Sequence, residues 1–234
     1  MLLLLIIISS KMPFDIRIKT SFNLMLVGPT RSGKTSWVKN LLTMGDQIFT
    51  EKPMKVFLFY KMMQDMYIEM KETGLVQELV NVSNEMPTLD DIETMVSPFR
   101  DNGGSMIIFD DCMSNINTDF ENLFCNLSHH MNCSIIFITQ SLFYQDNIYR
   151  TMSRNTQYFV LFNNDRDKQQ FSILGKQYSP GNHTFIPQVL KEATKQPYGY
   201  LFLDFCPETA PTVRVLSHIF PHKFPTRAYL ETKQ

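Results

Sequence analysis

Eight residues constrain this chain more than any others. Gly28-Pro29-Thr30-Arg31-Ser32-Gly33-Lys34-Thr35 reads G-x-x-x-x-G-K-T and follows directly on the apolar run from Phe22 to Val27. A strand that feeds a glycine-containing turn and then opens a helix directs several backbone N–H groups at one point, where the helix dipole also favours anions. Asn23 to Val27 is short and apolar, as a strand buried on both faces should be. Beyond the loop, Trp37, Val38, Leu41 and Leu42 fall at helical spacing, and Gly45 supplies a stop. The pattern predicts a nucleoside triphosphate site formed by Gly28, Pro29, Thr30, Arg31, Ser32, Gly33, Lys34, Thr35 and Ser36. Lys34 is expected to reach the β and γ phosphates, and the Thr35 hydroxyl to hold Mg²⁺.

With 234 residues, 44% apolar and 12% aromatic, the chain has the make-up of one folded domain, and no repeat, low-complexity tract or linker divides it. A formal net charge of −1 excludes a uniformly basic nucleic-acid coat. Any contact with DNA or RNA must then come from a local cluster or from a pore made by several subunits. Lys61, Lys71 and Arg100 are candidates, although each reads more simply as a solvated charge. Cys112, Cys125, Cys133 and Cys206 form no C-x-x-C pair and none of the usual zinc spacings, which predicts reduced, mostly buried thiols. His129 and His130 lack partners at metal-ligand spacing and suit surface or capping roles.

The apolar run Met1 to Ile8 has no basic residue before it and is too short to span a bilayer, so neither a signal peptide nor a membrane anchor is expected. It reads either as an extra N-terminal strand or as sequence upstream of a true start at Met12, and the second reading is preferred. The expected domain covers 13–221, with 1–12 as an extension and 222–234 as a tail.

Further along, Lys55 to Tyr60, Met106 to Phe109, Ile135 to Thr139, Tyr158 to Phe162 and Tyr200 to Phe205 read as five more short strands. Helical patterns lie between them. Met62, Met66 and Met70 form a four-residue stripe suited to core or interface packing. Thr88 with Asp91, and Thr118 with Glu121, spell two candidate capping boxes. The first opens a helix with Ile92, Met95, Val96 and Phe99 on one face, the second a helix with Phe120, Leu123, Phe124, Leu127 and Met131. Strands alternating with helices predict an α/β fold: three layers around a mainly parallel central sheet. Right-handed crossovers would bring Gly28, Asp110 and Gln140 to its carboxyl edge.

Met106-Ile107-Ile108-Phe109 ends in Asp110-Asp111. Two carboxylates closing a buried apolar strand are costly unless something neutralises them, and Mg²⁺ with an attacking water does so. Asp110 is expected to hold Mg²⁺ through water, and Asp111 to polarise the lytic water as general base. Gln140 ends the next strand, where its amide can hydrogen-bond the γ-phosphate or the water. An inserted strand and an acidic second residue indicate the additional-strand class of P-loop ATPases, which act as rings. Such a ring needs a cation across the subunit boundary, for which Arg150, Arg154 and Arg166 are candidates. Arg154 is preferred because it lies just before the fifth strand, near the expected edge of the site.

FNLMLVGPTRSGKT, IIFDD, HHMNCSIIFITQSLF, RTMSRNTQYFVLFNNDRDKQQ and PYGYLFLDFCPET together resemble the packaging ATPases of Polinton (Maverick) elements, adintoviruses and virophages. Those are related to the poxvirus-type packaging ATPase within the FtsK-HerA superfamily. The resemblance covers about Pro13 to about Pro221, in order and with similar spacing. It implies an ATP- and Mg²⁺-dependent motor, a homo-oligomeric ring, that pushes double-stranded viral DNA into a preformed icosahedral capsid. It further implies capsid vertex or portal proteins as partners, and a location inside the host cell, in the nucleus or a viral factory, without secretion. Gly28, Gly33, Lys34 and Thr35 match the family's first Walker motif, Asp110 and Asp111 its second, and Gln140 its sensor. Arg31 departs from relatives that carry a small residue such as glycine there. The length leaves no room for the nuclease of tailed-phage terminases, so no cutting of concatemers is expected. Two other readings stand beside this one: a helicase-type replication motor, and a non-catalytic relic of an integrated element.

Overall fold

The computed structural model describes residues 3–7, 15–112, 118–124, 130–142, 147–220 and 224–231. Among them, the apolar runs form a single ten-stranded sheet. Its strands are β1 (Leu3–Ile7), β2 (Asn23–Val27), β3 (Lys55–Tyr60), β4 (Glu78–Asn81), β5 (Ser105–Asp110), β6 (Cys133–Thr139), β7 (Tyr158–Phe162), β8 (Tyr200–Asp204), β9 (Val215–Ser217) and β10 (Arg227–Glu231). Their spatial order is β1-β10-β9-β8-β7-β2-β6-β5-β3-β4. From β7 to β4 every pairing is parallel, and β6 lies between β2 and β5, which makes it the additional strand.

Burial on both faces explains the continuous apolar runs. Met25 and Val27 of β2 pack into one core, while Leu24 and Leu26 pack into the other. Helices α1 (Lys34–Thr43) and α3 (Asp65–Glu72), with the short α2 (Gly45–Ile48) between them, cover the second face. The first face is covered by α4 (Leu89–Val96), α5 (Thr118–Asn122), α6 (Asn147–Arg154), α7 (Lys168–Tyr178) and α8 (Phe185–Ala193). Three layers result, as expected.

The central sheet is mainly parallel, as expected, and beyond β7 it is extended by β8, β9, β10 and β1, which all pair antiparallel. The cause is the connection. Two helices, α7 and α8, separate β7 from β8, so the chain crosses the sheet twice and enters β8 from the edge where β7 left it. Residues 3–7 and 227–231 extend this antiparallel wing past the expected bounds of 13–221, with Leu3 opposite Glu231 and Ile7 opposite Arg227. The run 3–7 therefore adopts the strand geometry of the first of its two readings.

Local signals fared unevenly. Thr88 and Asp91 form a reciprocal capping box at the start of α4. The second expected box, at Thr118, lies outside the described side chains. Gly45 does not act as the stop: α1 ends at Thr43 and is capped by Met44, whose backbone N–H donates to Asn40 O and Leu42 O, and Gly45 opens α2. In the methionine stripe Met70 is buried, whereas Met62 lies before α3 and is 75% exposed. Cys112, Cys133 and Cys206 are buried free thiols, and Cys125 lies outside the described residues.

Candidate functional site

The loop between β2 and α1 takes its shape from two glycines. Gly33 caps α1 at φ 100°, a backbone conformation that L side chains rarely adopt. At Gly28 the constraint is space, because a Cβ there would come within 2.6 Å of Phe162 Cβ and 2.9 Å of Ser32 Oγ. The Gly28 N–H donates to Thr139 O at 3.2 Å, fastening the loop to the end of β6. Arg31 sits at φ 64°, which gives a conformational reason why glycine suits that position.

Lys34 Nζ donates to Gly28 O at 2.7 Å and to Pro29 O at 2.8 Å, so the ammonium is folded over the loop it belongs to. Burial lowers its pKa, and the nearby Asp110 and Asp111 oppose that shift. Thr35 Oγ1 donates to Asp110 Oδ2 at 3.2 Å, joining the two Walker motifs directly. Asp110 is the last residue of β5 and is only 7% exposed. Burial raises its pKa, against the hydrogen bonds of Tyr67 and Thr35 and the charge of Lys34. Asp111 follows at φ 58°, a sharp turn that leaves it exposed beside its buried neighbour. Gln140 stands exposed one residue beyond β6.

These groups meet in a cleft of about 480 Å³ that takes in Thr30, Arg31, Gly33, Lys34, Thr35 and Ser36 together with Asp110, Asp111 and Gln140. That volume is ample for a small ligand. Pro29 and Ser32, also expected to bind, line the outer side of the loop instead, facing Asn163 and Lys195. The cleft lies at the carboxyl ends of β2, β5 and β6, as the parallel order requires.

Arg154 is not brought there. It ends α6, and β7 runs parallel to β2 with Tyr158 opposite Leu24, so the segment before β7 sits at the amino edge of the sheet. Asn155 O accepts from Asn23 Nδ2 at 3.0 Å, and Gln157 N donates to Asn23 O at 3.0 Å. The length of β2, roughly 15 Å, separates this point from the phosphate loop. Strand direction, which adjacency in sequence does not reveal, overturns the reason for preferring Arg154. Arg166 follows β7, at the carboxyl edge, and is exposed.

Several contributors carry no sequence signal. Tyr67 on α3 donates to Asp110 Oδ2 at 2.7 Å and accepts from Gln64 Nε2 at 2.8 Å. Gln170 on α7 accepts from Leu142 N at 2.8 Å and donates to Ser141 Oγ at 2.9 Å, holding the segment that follows Gln140. Tyr198 borders the cleft with its backbone at φ 61°. A buried tyrosine in a helix and a glutamine in a polar run read as ordinary packing and solvation. The PYGY string contained Tyr198 but gave no role for it.

Asp110 and Thr35 present oxygen donors side by side, and the carboxylate's burial cost is one that a cation would offset. That donor set fits Mg²⁺. Among the described residues no group of three or more His, Cys, Asp or Glu side chains could cage a metal unaided. None of the described helices is long and apolar enough to cross a membrane.

The model of the poxvirus A32 protein family matches residues 10–171. No curated protein matches the chain. The genome packaging NTPase B204 from Sulfolobus turreted icosahedral virus 2, solved with sulfate, superposes with a TM-score of 0.59 at 12% identity, covering 86% of this chain and 97% of that one. The same protein with ATP-γ-S gives 0.53 at 13% identity over 85% and 96%. At such identities the likeness is one of fold.

Proposed function

The chain belongs to the family of the poxvirus A32 protein, and from that premise we propose that it is an ATP-hydrolysing motor that moves double-stranded viral DNA into a preformed capsid. The observation that carries this reading is the hydrogen bond between Thr35 and Asp110, which sets the phosphate loop against an acidic strand end inside a cleft that also holds Lys34, Asp111 and Gln140. The B204 NTPase, of like fold, packages a viral genome and was solved with an ATP analogue.

On this reading the triphosphate lies along the N–H groups of residues 30–36, and Lys34, already held within the loop, neutralises its negative charge. Thr35 and Asp110 would hold Mg²⁺, which would supply positive charge to offset the negative charge of the phosphates. Asp111 has the exposure to meet a water in the cleft and take its proton, and Gln140 has the amide to orient that water. The motor works as a ring inside the host cell, with a capsid vertex or portal as its dock. Its genome is that of an element of the Polinton, adintovirus or virophage kind. Across the ring boundary Arg166 is the better placed arginine, because it shares the carboxyl edge with the cleft.

DNA-stimulated ATP hydrolysis tests the reading. Double-stranded DNA is expected to raise turnover of the intact chain, and Lys34→Ala and Asp111→Asn to abolish it. Turnover indifferent to double-stranded DNA of any length would sink the translocase, and strand separation with a single-strand preference would select a helicase.

A further inference from the structure

The phosphate cleft does not end at the loop. A second cavity, of about 320 Å³, adjoins it and shares Gly33, Ser36 and Tyr198 with it. Its character is different. Where the cleft collects charged and polar groups, this cavity is walled by Trp37, Tyr198, Tyr200, His218, Phe220 and Phe224. The floor is fixed: Trp37 meets Tyr200 edge-on at 5.9 Å and Phe220 at 5.4 Å between ring centroids. The Tyr200 hydroxyl accepts from Ile219 N at 2.9 Å. Trp37 Nε1 lies near that hydroxyl but reaches no acceptor at hydrogen-bonding geometry.

Tyr198 stands between the two cavities. Its ring lies against the loop, 3.1 Å from where a Cβ on Gly33 would be, yet the residue is 73% exposed and its backbone adopts φ 61°. An exposed aromatic ring on an unfavourable backbone, set at the rim of an aromatic pocket, is a surface prepared for a flat partner. Asn40, one helical turn beyond Ser36 on α1, adds an amide able to donate and accept along the edge of such a partner. His218 contributes a ring 5.0 Å from that of Phe224, and burial with the charge of Arg227 holds its pKa below the usual value, which favours the neutral form.

We propose that this aromatic pocket receives the purine base of the nucleotide whose phosphates occupy the loop, with Tyr198 stacking on the base and Asn40 reading its edge. The inference rests on the triphosphate reading of residues 28–36. Because Gly33 and Ser36 belong to both cavities, one molecule with an anionic tail and an aromatic head spans them without leaving the protein surface. A two-ring base offers more face to stack than a pyrimidine does.

Trp37 is the single tryptophan of the chain, so its fluorescence reports on this pocket alone. The intact chain is titrated with ATP, CTP and inorganic tripolyphosphate, with calorimetric dissociation constants measured alongside. ATP is expected to change the Trp37 signal and to bind more tightly than the other two. Tyr198→Ala is expected to weaken ATP about tenfold while leaving tripolyphosphate unchanged, and Tyr198→Phe to restore ATP binding. An ATP-to-tripolyphosphate affinity ratio that Tyr198→Ala and Asn40→Ala both leave unchanged overturns the pocket and spares the loop. If neither ligand binds, or if Lys34→Ala binds both as well as the parent chain does, the loop reading fails and takes the pocket with it. A Trp37 signal that changes with protein concentration alone would put a second copy in the pocket and overturn the assignment.

Discussion

Replacing Asp110 by asparagine separates the cost of the carboxylate from its use. Burial raises the Asp110 pKa above its ordinary value of 3.8, so between that value and the raised one the folded chain holds a proton that the unfolded chain has released. Stability from this group is therefore full at low pH and falls as pH rises through the folded-state pKa. Asp110→Asn should abolish ATP turnover yet gain about 1 kcal/mol at pH 8, which raises the melting midpoint by about 2–4 °C, with a smaller gain at pH 5. Thermal melts of both proteins at the two pH values check it. Arg31 gives a second test, because its φ of 64° and its place in the cleft are separable. Arg31→Ala keeps the unfavourable backbone and loses the charge, whereas Arg31→Gly relieves both. Relative to Ala, Gly should add about 0.5–1 kcal/mol of stability, and the two should share the same change in ATP affinity. Lys34, Thr35 and Asp110 were legible in the sequence because their chemistry is fixed by position within a short motif. Tyr67 was not, because its hydrogen bond to Asp110 spans 43 residues.

At the scale of elements, β6 and α7 act as a unit. Gln170 on α7 grips Ser141 and Leu142 directly after Gln140, and α7 follows the 163–167 loop that carries Arg166. Gln140, the residue proposed to sense the γ-phosphate, is thus tied to the element that follows the Arg166 loop. Gln170→Ala should lower kcat about tenfold with little change in KM for ATP, since the phosphate loop keeps its own contacts. It should also cost about 1–2 kcal/mol in a denaturant melt, because the half-buried hydrogen bonds to Ser141 and Leu142 are lost. A parallel rise in KM would count against a positioning role. Periodicity identified β2, β3, β5, β6 and β7 because each is an apolar run buried on both faces. It missed β4, whose residues are half-buried or exposed, and β9, which is three residues long. It missed β10 because Arg227 and Glu231 break up the apolar pattern.

Over the whole molecule, stability and function divide along the sheet. The parallel half carries the cleft, and the antiparallel wing ends in β1, whose Leu5 and Ile7 are 43% and 60% exposed. Among the described strands β1 pairs with β10 alone, and four strands lie between it and β2. A chain beginning at Met12 should therefore keep its nucleotide affinity while losing about 1–3 kcal/mol, the scale of uncovering Ile6 and the β10 edge. Calorimetric ATP binding beside a denaturant melt of the shortened chain distinguishes this from a structural requirement for β1. By itself the sequence determined the loop, the acid at the end of β5 and the alternation of strands with helices, because these rest on short-range geometry and on burial period. Only the tertiary structure decided which strands are neighbours and which way each runs. That placed β6 between the Walker strands, sent Arg154 to the far edge, and brought Tyr67, Gln170 and Tyr198 to the site. Those outcomes depend on crossover connections and long-range pairing, which no local pattern of residues encodes.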